Sequence, residues 1–146
     1  MLTDQGDAST SKSVQTYNVG SDIPSQQNGV VYANANTIVS ISLSGVLNVF
    51  DTRESSNSKW RTLHGPTKAI TASTFTDKTF YAGSFDGTMK SFAIGKDFGE
   101  DEGKCTEVAG TGHSAHVSGL TSDGKGNVWS AGWDDKVSSI EGDAFT

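Results

Sequence analysis

Ile38-Val39-Ser40-Ile41-Ser42-Leu43-Ser44-Gly45-Val46-Leu47-Asn48-Val49-Phe50-Asp51 is the stretch that decides the fold, because the chain repeats it twice more without a gap. Phe80 to Ala93 and Val128 to Glu141 show the same plan. A run of apolar and small residues leads to a turn at Ser44-Gly45, Asp86-Gly87 or Asp134-Asp135, and a second alternating run closes on Phe50, Phe92 or Ile140. The offsets are 42 and 48 residues, which bracket the roughly 40–45-residue period of a propeller blade. Two short alternating runs around a tight turn read as a β-hairpin. The expected fold class is therefore all-β: a β-propeller of about three four-stranded blades, fewer than the roughly four to eight that close a ring.

Composition agrees with strands. The 146 residues include 17 Gly and only 2 Pro, with 34% hydrophobic residues, and no stretch carries a sustained i, i+3, i+4, i+7 apolar stripe. Residues 1–11 are polar and have nothing to bury, which predicts a disordered tail. Residues 12–146 read as three units, at about 12–53, 58–95 and 104–142. Four strands are expected in each: Ser13–Val19, Gly29–Ala33, Thr37–Leu43 and Val46–Thr52; Trp60–Leu63, Ala69–Phe75, Thr79–Phe85 and Thr88–Ile94; Cys105–Ala109, His116–Thr121, Asn127–Trp133 and Lys136–Glu141. Gly95–Gly103, the charged insertion that lengthens the second offset, reads as a surface loop.

Charge and cysteine content narrow the partners. The net charge is −6 and the basic residues are scattered, so the footprint of a nucleic-acid binder is missing. A single cysteine, Cys105, fits a reducing compartment. No apolar run approaches the roughly 20 residues of a membrane span, and the first residues lack the basic and apolar regions of a secretion signal. The expectation is a soluble intracellular chain without nucleic-acid or membrane partners.

Chemistry-bearing motifs are few. Ser130 lies inside an alternating strand, no G-x-S-x-G elbow occurs, and Gly83-Ser84-Phe85-Asp86-Gly87 has its serine in the wrong place. His113-x-x-His116 has no second ligand pair at a zinc spacing. Asp123 to Asn127 lacks the alternating acidic ligands of a calcium loop, and neither phosphate-cradling glycine motif is present. The chain is therefore expected to have no catalytic, metal or cofactor site.

The third unit has Gly112-His113 before its first inner strand, Ser130 in the next strand and Asp134 in the following turn. This resembles the WD-repeat pattern, which implies one hydrogen-bonded network of His113, Ser130 and Asp134, with Ile140 at the usual Trp position. In the second unit Gly65-Pro66 replaces Gly-His and Ala82 replaces the serine, while Asp86 is kept. The first unit keeps Ser40 and has Phe50-Asp51, but Ser44 takes the turn-Asp position.

Val19-Gly20-Ser21 leading to Gln26-Gln27-x-Gly29, Ile38 to Gly45, Gly83 to Gly87, Gly112-His-x-x-x-Val117-Ser118 and Trp133 to Val137 further resemble, in order and spacing, the actin-interacting WD-repeat partners of cofilin. The resemblance covers about Ser13 to Glu141. It implies binding to actin filaments and ADF/cofilin, promotion of filament disassembly, no enzymatic activity, and a place in the cytoplasm on the actin cytoskeleton. It also implies that this chain is three consecutive blades of a longer protein. The alternative is a WD-repeat scaffold for another assembly. Top-face positions carried over from the WD pattern are His116, Ser118 and Trp133 in the third unit and Ala69, Thr71 and Phe85 in the second. Phe85 and Trp133 are the candidate anchors, the alternative being that both rings pack against neighbouring strands. Open flanks on the terminal blades predict self-association.

Overall fold

The computed structural model describes residues 15–54, 61–66, 68–93, 105–110, 112–123, 125–142 and 144–146. Strands β1 (Gln27–Asn34), β2 (Thr37–Ser42), β3 (Val46–Asp51) and β4 (Arg61–His64) form the first sheet. The second contains β5 (Ile70–Phe75), β6 (Thr79–Ser84), β7 (Met89–Ala93) and β8 (Cys105–Glu107). The third contains β9 (Val117–Ser122), β10 (Val128–Gly132), β11 (Val137–Glu141) and β12 (Ala144–Phe145). Each sheet is antiparallel, with its strands in chain order. Sequential strands joined by short turns need no crossover, and the repeated hairpin sets the register of β2 on β3, β6 on β7 and β10 on β11.

The structure corrects the grouping of strands. Trp60–Leu63 was expected to open the second unit and Cys105–Ala109 the third. Instead β4 pairs with β3 (Val46↔His64, Val49↔Arg61) and β8 pairs with β7 (Lys90↔Glu107, Phe92↔Cys105), so each is the fourth strand of the preceding sheet. A repeating sequence fixes the period but not the phase at which sheets are cut from it. Ser13–Val19 was expected to be a strand. Residues 15–19 belong to no strand of the three sheets, while Ser13, Val14 and Trp60 lie outside the described residues. The expected tail, 1–11, and the expected loop, 95–103, also lie outside them. β12, which the sequence reading did not anticipate, supplies the third sheet's fourth strand (Ile140↔Phe145).

Two hydrophobic cores lie between the blades. Val39, Ile41, Leu47, Val49 and Leu63 of the first blade meet Ile70, Phe80, Ala82 and Phe92 of the second. Tyr81, Met89 and Val108 then meet Val117, Val128 and Ile140 of the third. Because the second blade is covered on both faces, β6 is buried continuously from Phe80 to Ser84, whereas β10 alternates, with Trp129 exposed between buried Val128 and Ser130.

The β2–β3, β6–β7 and β10–β11 turns place Gly45, Gly87 and Asp135 in the left-handed region, at φ 78°, 88° and 60°. A Cβ at Gly87 would collide with the His113 carbonyl and lie 2.8 Å from that of Ala115; one at Gly45 would meet the Pro66 and Lys68 carbonyls in the same way. The first two of these turns thus nestle against the backbone leading into the next blade, which requires glycine for both space and φ. This contact also makes Pro66 the spatial counterpart of His113.

Candidate functional site

The third blade is clasped by an imidazole. His113, buried at the mouth of the blade, donates from Nδ1 to Asp134 Oδ1 (2.8 Å), leaving Nε2 to accept from the Ser130 hydroxyl (2.8 Å). The other Asp134 oxygen accepts from the Ser114 backbone N–H (2.9 Å). These bonds, His113 first, hold the Asp134 carboxyl at about 2, well below its ordinary value. The connectivity is that of a Ser-His-Asp triad, but Ser130 is 2% exposed inside β10, and its Oγ also faces the Ser138 carbonyl at 3.3 Å. A nucleophile needs an exposed oxygen beside an oxyanion hole. This arrangement instead ties the chain before β9 to β10 and the β10–β11 turn.

The other two blades close the same place differently. In the second, the Ser84 hydroxyl donates to Asp86 Oδ1, joined by the Thr88 hydroxyl (2.6 Å) and backbone N–H (3.1 Å). Ser84 first, then Thr88, lowers the Asp86 pKa. In the first, Ser42 Oγ bonds Ser44 Oγ (2.8 Å) and accepts from the Val46 N–H (3.1 Å). The third member of this register is Gly132. A Cβ there would lie 2.6 Å from Asp134 Oδ1 and closer still to His113 Nδ1. The imidazole of the third blade therefore occupies the space that a serine side chain fills in the other two. Sequence reasoning missed Ser84 and Gly132; the signal was the aligned series Ser42, Ser84, Gly132.

Beside these clasps each blade presents one large apolar side chain. The backbone N–H of Leu43, Phe85 and Trp133 donates to the carbonyl of Gln26, Ala69 and His116 respectively, at 2.9, 3.1 and 2.9 Å. The shared bond places the three residues at one edge of their sheets. They are 37%, 59% and 70% exposed, although the Phe85 and Trp133 rings each keep one face or edge against a neighbouring ring. The second and third blades join through His116, whose ring stacks on Trp133 (centroids 4.5 Å, planes 10° apart) and meets Phe85 edge-on at 5.2 Å. His116 Nδ1 is buried with no hydrogen-bond partner among the described residues.

The remaining carried-over residues are used differently. Ser118 is exposed, its hydroxyl donating to the Ala131 carbonyl (3.2 Å). Thr71 donates to the Val117 carbonyl (2.6 Å), so its hydroxyl spans the second and third blades. Leu43 was not among the candidates, because the first unit lacks the turn Asp that marked the position; its register with Phe85 and Trp133 was the available signal. Among the described residues no group of three or more His, Cys, Asp or Glu side chains is placed to hold a metal. No described helix is long and apolar enough to cross a membrane.

Three stacked four-stranded antiparallel sheets, the third closed by a His-Ser-Asp clasp, have the fold of WD40 β-propeller blades. The chain is similar to WD repeat-containing protein 1-B of Xenopus laevis, 30% identical over 136 residues, and to Actin-interacting protein 1 of Caenorhabditis elegans, 29% identical over 133 residues. Each match takes in 90% of this chain but only 21% and 20% of the relative, so the chain spans about a fifth of the length of these relatives. The WD40 β-propeller domain of Doa1 matches 80% of this chain and 37% of its own at a TM-score of 0.59 and 17% identity, a likeness of fold alone. No protein-family model matches the chain.

Proposed function

We propose that the chain is a non-enzymatic docking module that binds actin filaments together with ADF/cofilin and promotes their disassembly, in the cytoplasm. The observation that carries this reading is the edge formed by Leu43, Phe85, His116 and Trp133. Rings held in a fixed stack and left exposed have already lost their rotamer freedom, so a partner that covers them gains apolar burial at little further entropic cost. The direction of the reading, toward actin, is supported by the similarity to a relative named for interaction with actin. A second reading, a WD-repeat scaffold for another assembly, is favoured by the Xenopus relative, whose name specifies only the repeat.

Cosedimentation with bare and cofilin-decorated actin filaments tests the first reading. The expected result is pelleting with decorated filaments, weakened about tenfold or more by Phe85→Ala with Trp133→Ala, in line with the loss of two interface anchors. Failure to pellet with either filament refutes it. Recovery of a defined assembly without actin or cofilin would support the second reading.

A further inference from the structure

One kind of side-chain bond crosses both joints between blades. Two residues beyond the carbonyls of Gln26, Ala69 and His116, which accept from Leu43, Phe85 and Trp133, stand Asn28, Thr71 and Ser118. The ladder slips at each of the three, between Gln27 and Gly29, Ile70 and Ala72, and Val117 and Gly119, so each is the extra residue of a β-bulge. Asn28 Nδ2 donates to the Ile70 carbonyl (2.7 Å) across the first joint, and the Thr71 hydroxyl donates to the Val117 carbonyl (2.6 Å) across the second. The acceptors are equivalent as well, one residue beyond Ala69 and His116. The two donors differ in chemistry. A threonine hydroxyl is stable in water, whereas a primary amide followed by glycine is not, and Asn28 is the only one of the seven asparagines that glycine follows.

We propose that Asn28 is a site of spontaneous deamidation and that its conversion unfastens the first blade from the second. The backbone nitrogen of Gly29 attacks Asn28 Cγ and closes a succinimide ring; the side-chain amide leaves as ammonia, taking the proton that the Gly29 nitrogen gives up. Water then opens either C–N bond of the ring. One opening gives aspartate, and the other gives isoaspartate, in which the main chain runs through the side-chain carboxyl. One water is consumed, one ammonia is released, and nothing is oxidised or reduced. Glycine favours the closure because no side chain shields its nitrogen and its backbone turns freely, and the bulge favours it because the ladder is already broken at Asn28. While the joint is closed the Ile70 carbonyl holds the amide, so the reaction draws on molecules in which the joint has opened locally. The product cannot refasten. A carboxylate only accepts, and opposite the Ile70 carbonyl it leaves two acceptors with no hydrogen between them; isoaspartate also lengthens the main chain inside β1. The Asn28 amide thus gives the first joint a chemical lifetime that the Thr71 hydroxyl does not give the second.

Incubation of the 146-residue chain at neutral pH, followed by peptide mapping with mass spectrometry, tests the site. The expected result is the mass gain of an amide turned to an acid at Asn28, ahead of every other asparagine and split between aspartate and isoaspartate. Asn28→Thr, which installs the side chain used at the second joint, should abolish it. Reacted and unreacted molecules, separated by ion exchange, test the effect on the joint: backbone amide hydrogens of β5 should exchange faster in the reacted form. Asn28→Asp should reproduce that exchange and melt roughly 2–8 °C below the wild type, the shift expected for one lost hydrogen bond. An Asn28 that converts no faster than the other asparagines would overturn the site. Unchanged β5 exchange in the reacted molecules would overturn the unfastening. Both readouts use the wild-type chain, so they decide the matter whether or not the variants fold.

Discussion

Replacing Gly132 by alanine isolates the imidazole clasp. The new Cβ would stand 2.6 Å from Asp134 Oδ1 and inside the contact distance of His113 Nδ1, closer than nonbonded atoms approach. The ring must withdraw or the end of β10 must shift. Withdrawal forfeits the His113–Ser130 hydrogen bond, about 1 kcal/mol net, and crowding at a packed site costs about 1–3 kcal/mol. Stiffening the unfolded chain returns about 0.4–1 kcal/mol. The net loss is about 1–4 kcal/mol, which for a chain of this size lowers the melting temperature by roughly 3–15 °C. The assay is thermal unfolding of four proteins: wild type, Gly132→Ala, His113→Ala and the double variant. With the imidazole gone, only Asp134 Oδ1 still lies within 3 Å of the methyl, and that oxygen, no longer bonded to His113, is free to turn away, so the double variant should lose less than the sum of the two single losses, a coupling of the kind expected for groups in contact. Wild-type melting of Gly132→Ala, or additive losses in the double variant, would refute the claim that His113 fills the space of a serine side chain.

Acid should weaken the same clasp. Asp134 has a folded pKa of about 2 against an ordinary 3.8, so its contribution is complete above about pH 4 and is lost as pH falls through about 2; urea midpoints across this range should fall less steeply in Asp134→Asn. His116→Phe keeps a ring between Phe85 and Trp133 and removes a buried nitrogen that has no partner among the described residues, so its melting temperature should equal or exceed the wild type's; a marked fall would show that Nδ1 is bonded. Gly87→Ala combines a left-handed φ with a clash against the His113 carbonyl and should cost more than about 1 kcal/mol. Asp135→Gly, at the same point of the third blade, should be neutral or mildly stabilising in the same melts.

Much of the architecture was legible because it is written in local pattern. The 42- and 48-residue offsets aligned three hairpins, and β2–β3, β6–β7 and β10–β11 form at those places. The network of His113, Ser130 and Asp134 was expected from the resemblance of the third unit to the WD-repeat pattern, and it forms within one blade, Ser130 and Asp134 lying 17 and 21 residues after His113. Other features depended on what lies across a gap between blades. The phase of the sheets was hidden, because Trp60–Leu63 and Cys105–Ala109 look alike whether they begin one blade or finish the one before. Hydrogen bonding with β3 and β7 decided it. The space that turns Ser42 and Ser84 into Gly132, the exposure of Leu43, Phe85 and Trp133, and the use of the Thr71 hydroxyl on Val117 are likewise tertiary facts. By itself the sequence determined the period, the hairpins and the residue types of the clasp, which are local. Only the stacking of one blade on the next decided which equivalent side chains are core and which are surface, because burial is a property of what packs against a residue: Tyr81 is buried and Trp129 exposed at one and the same position of the repeat.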